Sequence, residues 1–315
     1  MRNKKLAIFT AAAGLAFVLC MPGTVPAADY GIQVTDMAGN DITLAEPAGR
    51  IVSLSPAGCE ILNSIGGTGL LCGRAEICDY PEEILQVPTV GSGTEYSPEE
   101  IISLSPELVL AGQSDLTGEQ SDALRNAGIP VAVCEAADIE GIMDAVLMTA
   151  ELTGKAEIGG YVTDGMKSTI EILESSVDHL EVEKKTVLFT LPGEDGTIRT
   201  AGSGTILNGT AHLAGLANVF DDREGYFEVT SEEIISKNPD LIVSCAPDKR
   251  AAPMAEEDIL AIPDFQDITA VREQSVRTFE GCEMCRPGPR APEGAVMLYE
   301  FAYGEEDDLS MMAGY

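Results

Sequence analysis

The 315-residue chain contains no tryptophan, only two histidines (His179 and His212) and only 5% aromatic residues. Core volume therefore has to come from Leu, Ile, Val and Ala, and two histidines argue against a His-rich zinc or manganese site. Basic residues are also scarce: 19 Lys and Arg face 52 Asp and Glu, for a formal charge of −33. Nucleic acid is not an expected partner, because phosphate binding needs a basic face, and an anionic membrane surface would repel such a chain. Past the first residues no apolar run is long enough to span a bilayer. Catalytic signatures are missing too. Gly202-Ser203-Gly204-Thr205 lacks the lysine of a nucleotide-binding loop, and neither histidine has a recognisable serine or acid partner. No catalysis is expected, and no cofactor is required.

What is present begins with an export leader. Arg2, Lys4 and Lys5 precede the apolar run Leu6–Leu19, and small residues close it at Val25-Pro26-Ala27-Ala28. This order of features reads as a signal peptide over residues 1–28, and the mature protein is expected outside the cytoplasm. Cys20 offers an alternative, a lipid-attachment site, but Phe17-Val18-Leu19 precede it where a small residue is wanted.

From Tyr30 to Pro47 apolar residues alternate around Ala38-Gly39-Asn40-Asp41, the pattern of a β-hairpin. Short buried-strand runs then alternate with helical patterns. Ile51–Leu54 precedes a helix near 57–65; Leu108–Ala111 precedes one near 119–126; Val131–Val133 follows. Such alternation predicts parallel sheets flanked by helices, an α/β fold. Ile158, Val162, Met166, Ile170 and Leu173 form one helical stripe in a connecting segment, 156–182, although Gly159 and Gly160 weaken its start. The implied layout is a first lobe over 29–155, that connector, a second lobe over 183–303 and an acidic tail over 304–315.

An internal repeat supports two lobes. Ser97-Pro98-Glu99-Glu100-Ile101-Ile102 leads through Pro106 to Leu108-Val109-Leu110, and Ser231-Glu232-Glu233-Ile234-Ile235 leads through Pro239 to Leu241-Ile242-Val243. Each helix opens on a capping box, Ser97 with Glu100 and Thr230 with Glu233. Glu99 and Glu232 are left over. Singly each complements its helix dipole; as a pair on two lobes they form a two-point surface for a basic partner.

Seven cysteines follow Cys20: Cys59, Cys72, Cys78, Cys134, Cys245, Cys282 and Cys285. An exported chain normally pairs its cysteines, and an odd count leaves one over. Two readings stand. One is buried small hydrophobes with one or two disulfides; the other is soft-metal ligation by Cys245, Cys282 and Cys285.

Arg50-Ile-Val-Ser-Leu-Ser-Pro56, Gly73-Arg74, Cys78-Asp79-Tyr80-Pro81, the repeat and Arg286-Pro-Gly-Pro-Arg290 occur in this order. Together, from about Ile32 to about Phe301, they resemble the substrate-binding proteins of ABC importers for cobalamin, haem and ferric siderophores. The resemblance implies two Rossmann-like lobes with parallel sheets, joined by one long helix, with the ligand in the cleft between them. It implies a metal chelate as ligand, importer permease subunits as partners docking at Glu99 and Glu232, and a monomer. Ser55, Pro56, Cys59, Arg74, Cys78, Tyr80, Tyr96, Cys245, Arg286 and Arg290 are the expected ligand-binding residues. Arg199, Arg250 and Tyr226 are further cleft candidates, whereas Ile77 and Gly93 stand where relatives often place aromatics. An envelope metal or redox protein using Cys282 and Cys285, and a ligand sensor without a permease, are the alternatives.

Overall fold

The computed structural model describes residues 31–92, 96–193, 196–246, 252–279 and 283–304, all within one compact unit. The leader with Cys20, Gly93, Arg250, Cys282 and the tail from 305 onward lie outside the described residues. Among the described residues no helix is long and apolar enough to cross a membrane.

Strands β1 (Ile32–Thr35) and β2 (Asp41–Leu44) form the hairpin, with Ile32 opposite Leu44 and Val34 opposite Ile42. Asp36 organises its turn: Oδ1 accepts from the backbone N–H of Ala38 and Asn40, and Gly39 takes a positive φ of 83°. Its Oδ2 accepts from the N–H of Val133, which anchors the hairpin to the first lobe.

That lobe is built on β3 (Ile51–Ser53), α1 (Pro56–Ser64), β4 (Leu71–Arg74), α2 (Pro98–Ser103), β5 (Leu108–Ala111), α3 (Gly118–Asn126), β6 (Val131–Val133) and α4 (Ile139–Leu152). The sheet order is β4-β3-β5-β6, all parallel. The central runs Ile-Val-Ser and Leu-Val-Leu-Ala are wholly buried, as strands covered on both faces require.

The connector is α5 (Ala156–Asp178), which packs along α4. Its buried face runs through Gly159, Thr163, Met166 and Leu173, while Ile158 of the expected stripe is 41% exposed. Gly159 causes the shift. A Cβ there would lie 2.5 Å from the Ala150 Cβ, so only glycine lets the two helices approach this closely.

The second lobe contains β7 (Thr186–Pro192), β8 (Ile198–Ala201), α6 (Ile206–Leu213), β9 (Ala217–Asn218), β10 (Tyr226–Val229), α7 (Ser231–Lys237), β11 (Leu241–Cys245), α8 (Glu256–Leu260), α9 (Thr269–Arg272), β12 (Val276–Phe279) and α10 (Ala291–Tyr303). Its sheet, β10-β8-β7-β11-β12 with β9 also on β7, is mixed rather than all-parallel. The seven-residue β7 reverses at Gly193, whose N–H donates to the Thr197 carbonyl, so β8 returns antiparallel and β10 pairs antiparallel with it. Alternation along β7 and β11 divides the core in two. Val187, Phe189, Val243 and Cys245 pack with Tyr299 on one side, and Leu188 and Ile242 pack with Phe220 and Phe265 on the other. A small cluster of Ile142, Met166, Ile206 and Ala291 joins helices of both lobes and the connector.

Candidate functional site

The carboxyl ends of all four first-lobe strands converge on one cleft of about 590 Å³. Beyond β3 come Ser55 and Pro56, beyond β4 Ile77, beyond β5 Gln113, Ser114 and Asp115, and beyond β6 Glu135, Ala136 and Ala137. The second lobe supplies the facing wall with Leu191, Arg199, Tyr226, the start of α6 at Gly204–Ile206, and Cys285–Pro287. In open α/β sheets such strand ends are where chain reversals leave room for a guest.

Charge is distributed unevenly across this cleft. Asp115 accepts from the Gly112 N–H at 2.6 Å, and Glu135 accepts from the Gln113 N–H at 3.3 Å. Burial pushes both carboxyls above their ordinary values, and the neighbouring Asp115 charge raises Glu135 further. Arg199 on the opposite wall lies 6.0 Å from the centroid of the Tyr226 ring. Acceptors on one side and a cation with a phenol on the other make a gripping surface for a donor-bearing molecule.

Ser55 and Pro56 line the cleft at the start of α1, where Ser53 Oγ donates to the Ser55 carbonyl at 2.9 Å. Cys59 lies one turn further along, buried. Arg74 is buried and donates to the carbonyls of Ile84, Ala75 and Cys78, so its guanidinium braces the loop after β4. Tyr96 is buried in the first-lobe core, and its carbonyl accepts from Gln120 Nε2.

The arginine loop has an unexpected setting. Arg286, 4% exposed, donates to Glu60 Oε1 at 3.3 Å and to Asp79 Oδ1 at 2.7 Å. Arg290 donates to both oxygens of Glu60 and to Glu283, and its guanidinium lies 3.8 Å from the centroid of the Tyr80 ring. Glu60 and Asp79 belong to the first lobe, so the two arginines form an ion cluster across the lobe seam. Gly288 fits against it, for a Cβ there would sit 2.7 Å from Glu60 Oε2.

Cys245 ends β11 fully buried, and Cys285 is buried too. The six described cysteines, Cys59, Cys72, Cys78, Cys134, Cys245 and Cys285, are free thiols. Among the described residues no group of three or more His, Cys, Asp or Glu side chains is arranged to hold a metal ion.

In the Gly202–Thr205 loop the Gly202 and Ser203 amides donate to the carbonyls of Gly225 and Arg223. One local expectation is corrected: the capping boxes are not equivalent. Thr230 and Glu233 complete theirs; Ser97 Oγ accepts from the Glu100 N–H at 3.3 Å but donates to Glu99 at 2.9 Å, and Glu99's own N–H together with that hydroxyl holds its carboxyl below the usual range. Glu99 and Glu232 are both exposed near the starts of α2 and α7.

Sequence reasoning missed Asp115, Glu135, Glu60 and Asp79. The first two follow strands already legible in the sequence, so their loops were locatable by topology. Glu60 carried a signal of its own, a carboxylate set between the apolar Cys59 and Ile61 of a buried helix.

The periplasmic binding protein family profile matches residues 51–281. An uncharacterised ABC transporter substrate-binding lipoprotein of Bacillus subtilis is 27% identical over 278 residues, covering 87% of this chain and 86% of the relative. A cobalamin-binding protein of Halobacterium salinarum is 24% identical, covering 85% and 73%. The apo periplasmic haem-binding protein of Roseiflexus sp. RS-1 superposes with a TM-score of 0.71 at 22% identity, covering 81% of this chain and 98% of its own. With its two lobes, connecting helix and shared cleft, the chain belongs to the periplasmic binding protein family.

Proposed function

We propose that this chain is an exported, monomeric solute receptor that captures an organic metal chelate between its lobes and delivers it to an ABC importer. The observation that carries this reading is the cleft itself, lined from both lobes at the strand ends and large enough for a cofactor-sized guest. The relatives described as an ABC transporter lipoprotein and a cobalamin-binding protein support the same role. Exposed Glu99 and Glu232, one on each lobe, are the contacts offered to permease arginines.

The lining favours one kind of chelate. Asp115 and Glu135 repel a multiply anionic ferric siderophore, while Arg286 and Arg290 are engaged by carboxylates of the seam. An amide-fringed corrinoid presents N–H donors to the two carboxylates and acceptors to Arg199 and Tyr226. Titration of the purified protein with hydroxocobalamin, haemin and a ferric hydroxamate, followed by absorbance and calorimetry, tests both levels. Corrinoid binding supports the full reading. Exclusive binding of the ferric hydroxamate would overturn the corrinoid assignment, and no binding of any chelate would overturn the receptor itself.

A further inference from the structure

The repeated unit is matched in structure as well as in sequence. In α2 Ile101 is buried while its neighbour Ile102 is 36% exposed; in α7 Ile234 is buried while Ile235 is 37% exposed. Each exposed isoleucine lies three residues after an exposed acid, Glu99 or Glu232, which puts the two side chains on one helix face. The serine that follows turns back on its own helix. Ser103 Oγ donates to the Glu100 carbonyl and Ser236 Oγ to the Glu233 carbonyl, both at 2.7 Å. Both helices then stop alike: Ser105 and Asn238 take left-handed φ values of 49° and 44°, and buried prolines follow at Pro106 and Pro239. The two lobes therefore present one surface twice, an isoleucine beside a carboxylate. Single exposed apolar side chains are common and need no explanation. Here the same residue type is left uncovered at the matching position of both lobes, on the face that carries an exposed acid.

We propose that Ile102 and Ile235 are paired apolar anchors that seat the receptor on the importer's permease subunits, a proposal that rests on reading Glu99 and Glu232 as the docking contacts. Charge complementarity selects this occupant. The chain carries 52 acids against 19 bases and each patch is itself acidic, so a second copy of the chain is repelled where a basic membrane partner is attracted. Exposed carboxylates alone would make a contact that is weak and screened by salt. They steer the encounter, whereas an apolar side chain buried at the centre of a contact slows dissociation. An isoleucine about one helical turn from each acid supplies that centre, with the acid on its polar rim.

The test uses the full chain in the cells that encode it, with the photo-crosslinking residue p-benzoylphenylalanine in place of Ile102, of Ile235 or, as a control, of Tyr161 on α5, which is 67% exposed. Irradiation should join the first two positions, but not the third, to a polypeptide that mass spectrometry identifies as an ABC importer permease. Crosslinks between two copies of the chain, or none from either isoleucine position, would overturn the assignment. The same permease, purified with its ATPase into lipid nanodiscs, then serves for kinetics. Ile102→Ser combined with Ile235→Ser should weaken receptor binding about tenfold or more through faster dissociation. Glu99→Lys combined with Glu232→Lys should act on association instead. Both double variants should melt with the unaltered protein, since these exposed side chains contribute little to the fold. Weakening in the acid variant alone would leave the docking reading intact and refute the isoleucine anchors. Weakening in neither would overturn both.

Discussion

Glu60 is a buried carboxylate paired with two guanidinium groups of the other lobe, Arg286 at 3.3 Å and Arg290 at 2.7 Å. Truncating one partner of such a cluster leaves uncompensated buried charge, which costs about 3–5 kcal/mol. Glu60→Ala should lower the free energy of unfolding measured in urea by that amount, and an unchanged midpoint would show that the seam contributes nothing to stability. Asp115 and Glu135 behave in the opposite sense. Their carboxyls titrate higher in the folded chain, so the fold binds extra protons between the ordinary carboxylate range and the raised values. Stability gained there on acidification is lost again as pH rises through the raised values. D115N and E135Q should therefore each raise the melting temperature at neutral pH, with the gain shrinking as pH falls to the carboxylate range. These residues also mark the limit of what composition and motif could reveal. The arginine loop was legible as a rigid Pro-Gly-Pro segment, but its partners lie more than two hundred residues away in the chain, and no local pattern encodes that pairing.

Adjacent glycines in α5 separate packing from propensity. Gly159 sits where Ala150 would meet any side chain, while nothing lies within 4 Å of a Cβ added at Gly160. Gly159→Ala should push α4 and α5 apart and cost about 1–3 kcal/mol, whereas Gly160→Ala should stabilise the helix by about 0.5–1 kcal/mol. Calorimetry on the two variants checks this, and equal effects would refute the packing account. The helix was readable from its apolar spacing, yet the face it buries was not. Ile158 completes the periodic stripe, but the close approach at its neighbour decides which side turns inward. The second sheet follows similar logic: β7 and β11 announce themselves as continuous apolar runs, while the antiparallel β8 and β10 are half-exposed strands whose pairing depends on a glycine-bounded reversal.

The docking proposal belongs to the whole molecule. Glu99 and Glu232 occupy equivalent places near the starts of α2 and α7, although their carboxylates are held differently. Arg223 helps fix the second site by pairing with Glu233 at 3.1 Å while stacking 3.6 Å from the Phe227 ring centroid, which leaves Glu232 outside the capping arrangement. Glu99→Lys combined with Glu232→Lys should abolish importer-dependent uptake with ligand affinity unchanged. Loss of affinity in a cell-free titration would refute the assignment. Repetition in the sequence located these two acids because both lobes reuse one helix–turn–strand unit. It could not reveal the seam between the lobes, which is made from residues outside that unit.

The two electrostatic features differ in how they meet the surrounding medium. The charge surplus of −33 includes exposed acids that dissolved ions screen, on a length near 10 Å at 0.1 M salt. The guanidinium–carboxylate knot between the lobes is shut away from those ions. Salinity should therefore tune how readily the proposed acidic docking points meet a basic partner, while the stiffness of the interlobe seam should stay the same from fresh water to brine.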